Sequence, residues 1–255
     1  MGLKLVALAA ALALATPASY LQSRQEPDGG WGDPQLTAWA ALGLHAAGAD
    51  TGGALEYLVA HERELTTPTA IALVALAEAA LGRDTAPLLA RLPEQPTAVN
   101  EAAWSILAYR QTGKAAPQSL VRYVLASQTA GGGFPWTRRL APDSNDTAAS
   151  IEALVAAGVK GRPVARALHY LRALQARDGG FRLSPGRAPD AQSTAFAIQA
   201  FVAAHATPPR GAFAFLASLR RSDGSYRYSR AYATTPVWVT AQVLPALVRK
   251  PFPLP

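Results

Sequence analysis

The chain contains no cysteine, one methionine and few charged side chains, which make up 16% of its 255 residues. Without cysteine it has neither disulfide bonds nor a thiolate that could bind a metal. Its four histidines, His45, His61, His169 and His205, lack the close paired spacing of a metal-binding motif. We therefore predict no resident metal or cofactor, and a fold that depends on its hydrophobic core.

The charge that is present is mostly positive, with a formal net charge of +7. Such a balance can favour anionic ligands, membrane surfaces or nucleic acid. The sequence has no basic run and no nucleic-acid motif, so we predict no nucleic-acid partner. Half of the residues are hydrophobic and no Pro/Gly-rich linker divides the chain, which predicts one domain over residues 19–255.

The N-terminus carries a continuous apolar run. Lys4 is followed by Ala, Leu and Val residues from Leu5 to Ala15, and then by Thr16-Pro17-Ala18. A charged start, an apolar centre and small residues are typical of a signal peptide, and the run is too short to span a bilayer. We predict a signal peptide over residues 1–18 and a secreted or extracytoplasmic protein with no transmembrane segment once the leader is removed. The alternative is that this run belongs to the first outer helix, which should then be amphipathic.

One motif recurs along the chain: an aromatic-aliphatic pair, then Gln, then Gly, then a second aromatic residue. Its copies are Tyr20-Leu21, Gln25, Gly29, Trp31; Tyr123-Val124, Gln128, Gly132, Phe134; and Tyr170-Leu171, Gln175, Gly179, Phe181; a fourth, Phe215-Leu216, Gly224, Tyr226, has Arg220 in place of Gln. Repetition of this kind indicates units that bury their apolar faces only against their neighbours.

A Thr-Ala pair opens an apolar stretch after each motif. The pairs are Thr37-Ala38, Thr69-Ala70, Thr147-Ala148, Thr194-Ala195 and Thr240-Ala241, with Glu101-Ala102 in the remaining place. Their intervals of roughly 32 to 47 residues fit six helical hairpins. The segment before each Gly is amphipathic and should lie outside, whereas the segment after Thr-Ala is apolar all round and should lie inside. The predicted fold is all-α, an α/α toroid with about six inner and six outer helices.

The motif spacing resembles the QW repeat of squalene and other triterpene cyclases. Their α/α-toroid superfamily also includes protein prenyltransferase β subunits, the thioester domain of complement-like proteins and the α domain of cobalamin carriers. The resemblance extends from about residue 20 to about residue 250 and is weakest in units two and three. Prenyltransferases bind catalytic zinc through a Cys, and thioester domains also require Cys, so the absence of cysteine argues against both activities.

The segment Asp143-Ser144-Asn145-Asp146-Thr147-Ala148 is similar to the Asp-x-Asp-Asp-Thr-Ala motif of class II terpene cyclases. In those enzymes the middle Asp is the general acid, and here its place is taken by Asn145, which cannot donate a proton usefully. An Asp also stands four residues before Thr37 and Thr194, which favours a helix-capping role for Asp143. Asn100, Asp146 and Ser193 are further candidates for caps of inner helices. Asp143 and Asp146 are catalytic candidates only if the protein is cyclase-like.

The order of helices predicts that all inner-helix N-termini face one rim of the ring, where free N–H groups favour anionic or hydrogen-bond-accepting ligands. The rim loops of units four to six are long and rich in Arg and aromatic residues, which suit a bulky ligand with polar edges. Polar residues within the inner helices require partners in the lumen or on neighbouring helices. Our candidate ligand-binding residues are Trp136, Arg138, Arg139, Asn145, Glu152, Arg187, Asp190, Gln199, Tyr228 and Trp238.

The sequence thus favours an exported, non-catalytic toroid that binds a bulky hydrophobic or amphipathic molecule. Resemblance to the cobalamin carriers implies a corrinoid-like macrocycle as one ligand, and resemblance to the cyclases implies an isoprenoid lipid as another. Because the carriers enclose their ligand with a second domain, a partner protein or transporter component would complete such a site. Two alternatives stay open: a terpene cyclase- or prenyltransferase-like enzyme with a degenerate motif, and a protein-interaction scaffold.

Overall fold

The computed structural model describes residues 16–254, which form twelve helices and one short hairpin. The helices are α1 (Pro17–Gln22), α2 (Pro34–Ala46), α3 (Ala54–His61), α4 (Pro68–Ala80), α5 (Ala86–Leu89), α6 (Val99–Gln111), α7 (Gln118–Ala126), α8 (Ser144–Ala156), α9 (Arg162–Ala173), α10 (Ala191–Ala203), α11 (Ala212–Leu219) and α12 (Pro236–Leu247). A 3₁₀ turn, Glu62–Glu64, follows α3, and two-residue strands β1 (Phe181–Arg182) and β2 (Pro189–Asp190) pair antiparallel with Phe181 opposite Asp190.

The six even-numbered helices form a closed inner ring. Each packs against the next in sequence, and α12 packs against α2. At this junction Gly43 lies so close to α12 that a Cβ atom there would be 2.7 Å from the carbonyl oxygen of Ala241. The odd-numbered helices lie outside the ring, and α7 and α9 bury only one face each. The predicted all-α toroid of six inner and six outer helices is confirmed.

Acidic and hydroxyl side chains begin four of the inner helices. Asp33, Asp143 and Asp190 each accept a hydrogen bond from a backbone N–H of the first turn, and Thr67 does the same for α4. The capping role predicted for Asp143 is therefore confirmed. The caps predicted at Asn100, Asp146 and Ser193 were wrong, because these residues lie inside the first turn of α6, α8 and α10.

The aromatic residue that ends the motif is hydrogen-bonded to the Thr of the Thr-Ala pair, although the two are separated by between 6 and 14 residues along the chain. In four units the Thr hydroxyl accepts a 2.9 Å hydrogen bond from the backbone N–H of this aromatic residue. The donor and acceptor residues are Trp31 and Thr37, Phe134 and Thr147, Phe181 and Thr194, and Tyr226 and Thr240. Thr69 does not belong to this set. It is the second residue of α4, and its hydroxyl donates to Asn100 Oδ1 instead.

The Gln of the motif joins one unit to the next. Gln128 Nε2 donates to the carbonyl oxygen of Gly132 at 2.9 Å, within its own turn, and to that of Pro163 at 2.8 Å, in the following outer helix. Gln25 and Gln175 make the equivalent pairs of bonds. We call each such pair an amide bridge.

The glycine after each turn makes room for the aromatic residue of the following unit. A Cβ atom on Gly133 would lie 2.8 Å from the ring of Tyr170, and one on Gly180 would lie 2.7 Å from the ring of Phe215. The aromatic residue of one copy therefore packs on the backbone of the copy before it, and the motif encodes contact between units as well as structure within them.

Part of the predicted signal peptide lies outside the described residues. Of its last three residues, Thr16 accepts a 3.0 Å hydrogen bond from the backbone N–H of Ser19 and caps α1, while Pro17 and Ala18 begin the helix. Cleavage after Ala18 would therefore remove the cap and the first two residues of α1.

We expect Gln128→Ala to lower the free energy of unfolding by about 1–3 kcal/mol, because the part-buried carbonyl groups of Gly132 and Pro163 lose their shared donor. Urea denaturation followed by circular dichroism measures the change. Gln118→Ala, at an exposed position in α7, is the matched control and should change stability by less than 0.5 kcal/mol, roughly the size of ordinary surface substitutions. Equal effects of the two substitutions would show that the amide bridge does not stabilise the ring.

Candidate ligand-binding site

The inner ring encloses a cavity of about 310 Å³ at the end where its helices begin. Each inner helix contributes two lining residues four positions apart, hence on one face and one turn apart. The outer set, which we call the collar, consists of Gln35, Thr69, Asn100, Asn145, Gln192 and Trp238. The inner set, which we call the floor, consists of Trp39, Leu73, Trp104, Ala149, Phe196 and Gln242. Asp146 also lines the cavity beside the collar.

The floor is built mainly from aromatic rings that meet edge to face. The ring centroids of Trp39 and Trp104 are 5.2 Å apart, and that of Phe196 lies 6.0 Å from Trp39 and 6.4 Å from Trp104. These separations lie in the favourable range for aromatic pairs. The floor is therefore a rigid apolar surface at the bottom of the cavity.

A chain of hydrogen bonds crosses three helices of the collar. The Thr69 hydroxyl donates to Asn100 Oδ1 at 2.9 Å, and Asn100 Nδ2 donates to Asp146 Oδ1 at 2.7 Å. The chain fixes the orientation of the Asn100 amide, since each end of that amide has a defined partner. One side of the cavity thus carries preoriented polar groups.

The carboxyl group of Asp146 is held in its neutral form. Burial, the negative charge of Asp143 and a hydrogen bond to Asp143 raise the pKa of Asp146 to about 8, and the bond from Asn100 opposes this only in part. At neutral pH the cavity therefore contains an uncharged carboxylic acid. Asn145, the neighbouring collar residue, accepts a 3.1 Å hydrogen bond from the Ser144 hydroxyl.

The structure places few of the predicted ligand-binding and catalytic residues at this cavity. Asn145, Asp146 and Trp238 line it, whereas Asp143 caps α8. Of the long loop before α8, Trp136 and Arg139 are exposed and do not line the cavity. Arg138 packs on the Tyr123 ring with its guanidinium 3.9 Å from the centroid, so it contacts an outer helix and not the lumen.

Three other predicted residues meet at a separate cavity of about 290 Å³ between the last two rim loops. Arg187, Asp190 and Tyr228 line it together with Tyr232. Asp190 accepts hydrogen bonds from the backbone and hydroxyl of Ser193, and burial raises its pKa. The two loops are also joined by the backbone, since the Tyr228 carbonyl oxygen accepts a 2.7 Å hydrogen bond from Ala191 N.

The two predicted polar residues of the inner helices lie deeper than the floor. Gln199 is buried, and its Nε2 lies 3.5 Å from the Gln242 carbonyl oxygen on the neighbouring helix. Glu152 accepts a 2.6 Å hydrogen bond from the backbone N–H of Phe252. Burial raises the pKa of Glu152 well above its usual value, and the hydrogen bond from Phe252 opposes this shift. Neither residue lines the cavity.

Sequence reasoning missed most of the collar. Gln35, Thr69, Asn100 and Gln192 were not chosen, although each is the second residue of an inner helix. A usable signal existed: in most units an amide or hydroxyl residue precedes a large apolar residue by four positions at the start of the apolar stretch.

Within residues 16–254, no helix combines the length and hydropathy needed to cross a bilayer. Across that same part of the chain, no three His, Asp or Glu side chains gather in a way that would hold a metal ion. The chemistry available at the cavity is therefore aromatic contact, amide and hydroxyl hydrogen bonding, and the neutral carboxyl group of Asp146.

Comparison with solved structures establishes the fold. A protein from Actinoplanes is 20% identical to this chain and has a TM-score of 0.67, with 91% of this chain and 96% of that chain covered. A variant of the type II terpene cyclase MstE from Scytonema, in complex with geranylgeranyl dihydroxybenzoate, is 15% identical with a TM-score of 0.70, and 91% and 95% are covered. The ent-copalyl diphosphate synthase from Streptomyces platensis is 19% identical with a TM-score of 0.58, and the match covers 85% of this chain and 50% of the synthase.

No protein-family model and no curated protein matches the sequence. The protein nevertheless has the α/α toroid of the terpenoid cyclases, as its structural neighbours show.

We expect stability to fall between about pH 4 and pH 8 in part because of Asp146. The folded chain keeps a proton up to a pKa of about 8, whereas the carboxyl group of the unfolded chain releases it near 3.8; the free energy of unfolding therefore decreases as the pH rises through this window. Urea denaturation at pH 5 and pH 8 should show a smaller decrease for Asp146→Asn than for the wild type.

Two comparisons isolate the contribution of Asp146. Asp84→Asn removes the same formal charge from an exposed turn and controls for net charge. Burial raises the pKa of Glu78 to about 7. Glu78 therefore also lowers the free energy of unfolding as the pH rises, and it does so equally in the wild type and in Asp146→Asn. An unchanged pH profile for Asp146→Asn would mean that this carboxyl group is charged in the folded protein.

Proposed function

We propose that this protein binds an apolar small molecule of the isoprenoid type, with a neutral oxygen-bearing end, in the cavity between collar and floor, and that it does not convert this ligand. The observation that supports this most directly is the pairing of an aromatic floor with an uncharged polar collar around one opening. Apolar walls with a few placed polar groups are the usual composition of small-molecule sites.

The floor suits a hydrocarbon chain or ring. Trp39, Trp104 and Phe196 line the cavity with rigid aromatic rings, and contact with them removes apolar ligand surface from water. At about 310 Å³, the cavity lies near the lower end of the roughly 300–1,000 Å³ found for ligand pockets. A short isoprenoid therefore fits inside, while a longer one extends through the collar.

The collar suits a neutral head group. Among the described residues that line the cavity, none is Lys or Arg, so a diphosphate would meet no compensating charge there. Hydroxyl, carbonyl or phenol oxygens match the amides of Asn100 and Asn145 and the neutral carboxyl group of Asp146. A corrinoid-like macrocycle is the less favoured ligand, because it would lie across the collar and leave the floor unused.

Chemical features at the collar support a non-catalytic role. Asn145 stands where the resemblance to class II cyclases requires the proton-donating Asp. Asp146 is the carboxyl group that remains in the cavity, and a group with a pKa of about 8 gives little driving force for protonating an alkene. Binding without turnover also agrees with one solved neighbour, an Asp-to-Asn variant of MstE that was obtained in complex with its substrate.

Export and a protein partner remain part of the proposal on sequence grounds. The apolar run after Lys4 supports a leader, and the open collar leaves room for a second protein to cover a bound ligand. An extracytoplasmic carrier of this kind would hand its ligand to a partner protein or transporter component.

Titration with prenyl alcohols of 10, 15 and 20 carbons, followed by tryptophan fluorescence and isothermal calorimetry, tests the binding. We expect saturable one-to-one binding of at least one alcohol, and a loss of affinity of about ten-fold in Trp238→Ala, since burial of an aromatic side chain against a ligand contributes about 1.5 kcal/mol or more. The matched control is Trp136→Ala, an exposed Trp outside the cavity, which should bind as the wild type does.

Three results would contradict this proposal. Tight binding of a corrinoid with none of the alcohols would favour the macrocycle, and binding of prenyl diphosphates in preference to alcohols would contradict the neutral head group. Absence of binding to every probe would favour the scaffold alternative.

The enzyme alternative is supported by one observation, the presence of Asp146 in the cavity next to the position of the missing acid. Incubation with geranylgeranyl diphosphate or squalene, followed by gas chromatography, should give no cyclic product with the wild type. Asn145→Asp restores the Asp-x-Asp-Asp pattern, so a cyclic product is more readily formed by this variant than by the wild type. A product from the wild type that disappears in Asp146→Asn would overturn the non-catalytic assignment.

A further inference from the structure

The segment that follows the last inner helix, residues 250–254, folds back into the ring. Lys250 N donates to the Pro245 carbonyl oxygen at 3.0 Å, which turns the chain back along α12. Phe252 and Leu254 are 2% and 3% exposed, although they lie beyond the last helix. Apolar side chains so fully buried in a segment without secondary structure show that it is packed inside the protein core.

The ring of Phe252 lies against the floor on the side away from the cavity. Its centroid is 5.9 Å from that of Trp39 and 5.7 Å from that of Trp104, both in edge-to-face geometry. These are the same two indole rings that line the cavity, whereas Phe252 itself does not line it. The floor therefore consists of one layer of rings supported from below by the C-terminal segment.

A buried carboxyl group holds this segment in place. Glu152, near the middle of α8, is 1% exposed, and its Oε2 accepts the 2.6 Å bond from Phe252 N. Among the described residues Glu152 forms no ion pair. The burial of Glu152 is therefore explained by the backbone of the segment, which needs an acceptor at this depth.

The dimensions of the ring show what the segment excludes. Inner helices of 13 residues are about 20 Å long, whereas collar and floor are separated by one turn, or about 6 Å. Most of the lumen thus lies below the floor, on the side where residues 250–254 enter. Without this segment the cavity could continue toward the opposite end of the ring.

We propose that residues 250–254 set the depth of the ligand cavity, with Phe252 as the residue that determines how long a ligand can be bound. The inference depends on the proposed function, because it assumes that the cavity receives an apolar chain. Phe252 supports the indole rings of Trp39 and Trp104 and prevents a ligand from passing between them. The length preference is therefore determined by a residue that the ligand does not touch.

Phe252→Ala tests this assignment. Affinities for prenyl alcohols of 10 and 20 carbons are measured for the wild type and the variant, and their ratio is compared. We expect the ratio to shift about ten-fold toward the longer alcohol in Phe252→Ala. The matched control is Phe201→Ala, which removes an equally buried ring that packs on Phe181 and Arg172, away from the lumen, and which should leave the ratio unchanged.

A ratio of affinities separates specificity from general destabilisation, since loss of stability weakens both ligands alike. If Phe252→Ala does not fold, Leu254→Ala and Phe252→Leu remove less volume from the same segment and should shift the ratio in the same direction. An unchanged ratio in a folded variant, while the wild type binds the alcohols, would overturn this inference and leave the proposed function intact.

A measurement that needs no prenyl ligand tests the role of Phe252 even if the wild type binds none of the alcohols. Crystals of Phe252→Ala under xenon should contain xenon in the space below Trp39 and Trp104, continuous with the cavity. Xenon at this place together with no binding of any alcohol would refute the proposed function but retain the role of Phe252 as support of the floor. Collapse of the indole rings into that space, with no xenon site, would refute the role of Phe252.

Discussion

Closure of the inner ring is the constraint on which the rest of the structure depends. Each repeat leaves two apolar faces, and in an open stack the first and last repeats would expose one face each. Here α12 packs directly on α2, and Gly43 permits that contact because its backbone lies against Ala241. Once the ring is closed, the starts of all six inner helices surround a single opening, and the cavity follows from their geometry.

The architecture could be predicted from the sequence because the contacts between units are encoded by the same few residues that form the repeat. Gln128 bridges its own turn and the next outer helix, and Gly133 accepts the ring of Tyr170. A contact that recurs in several units leaves a periodic signal in the sequence. Unit two shows the limit of this reasoning. Thr69 matches the other Thr residues in identity, but it lies two positions earlier in its helix than Thr37, Thr147 and Thr194 do in theirs, and its side chain belongs to the collar.

The site was only partly predictable, because the residues that line it are not repeated in kind. Thr69, Asn100 and Trp238 are the collar residues of three helices, and their side chains are a hydroxyl, an amide and an indole. The sequence instead drew attention to Arg138 and Arg187, whose long loops are conspicuous but which reach an outer helix and a separate cavity. Glu152 illustrates a third difficulty: its partner, Phe252, is 100 residues away along the chain, and nothing local to α8 indicates it.

The amide bridges join successive outer helices and the Thr-aromatic contacts join the turns to the inner helices, whereas the collar and floor face the lumen. The residues that join the repeats and the residues that would meet a ligand are therefore largely separate sets, although Thr69, Asn100 and Asp146 also join three inner helices and the floor rings belong to the core. Substitutions at the collar positions outside this hydrogen-bonded chain, such as Gln35 and Gln192, can accumulate with little effect on the scaffold. A ring of this design can acquire, exchange or lose a ligand in small evolutionary steps, and a chain that has lost one chemistry still retains a folded container in which another can arise.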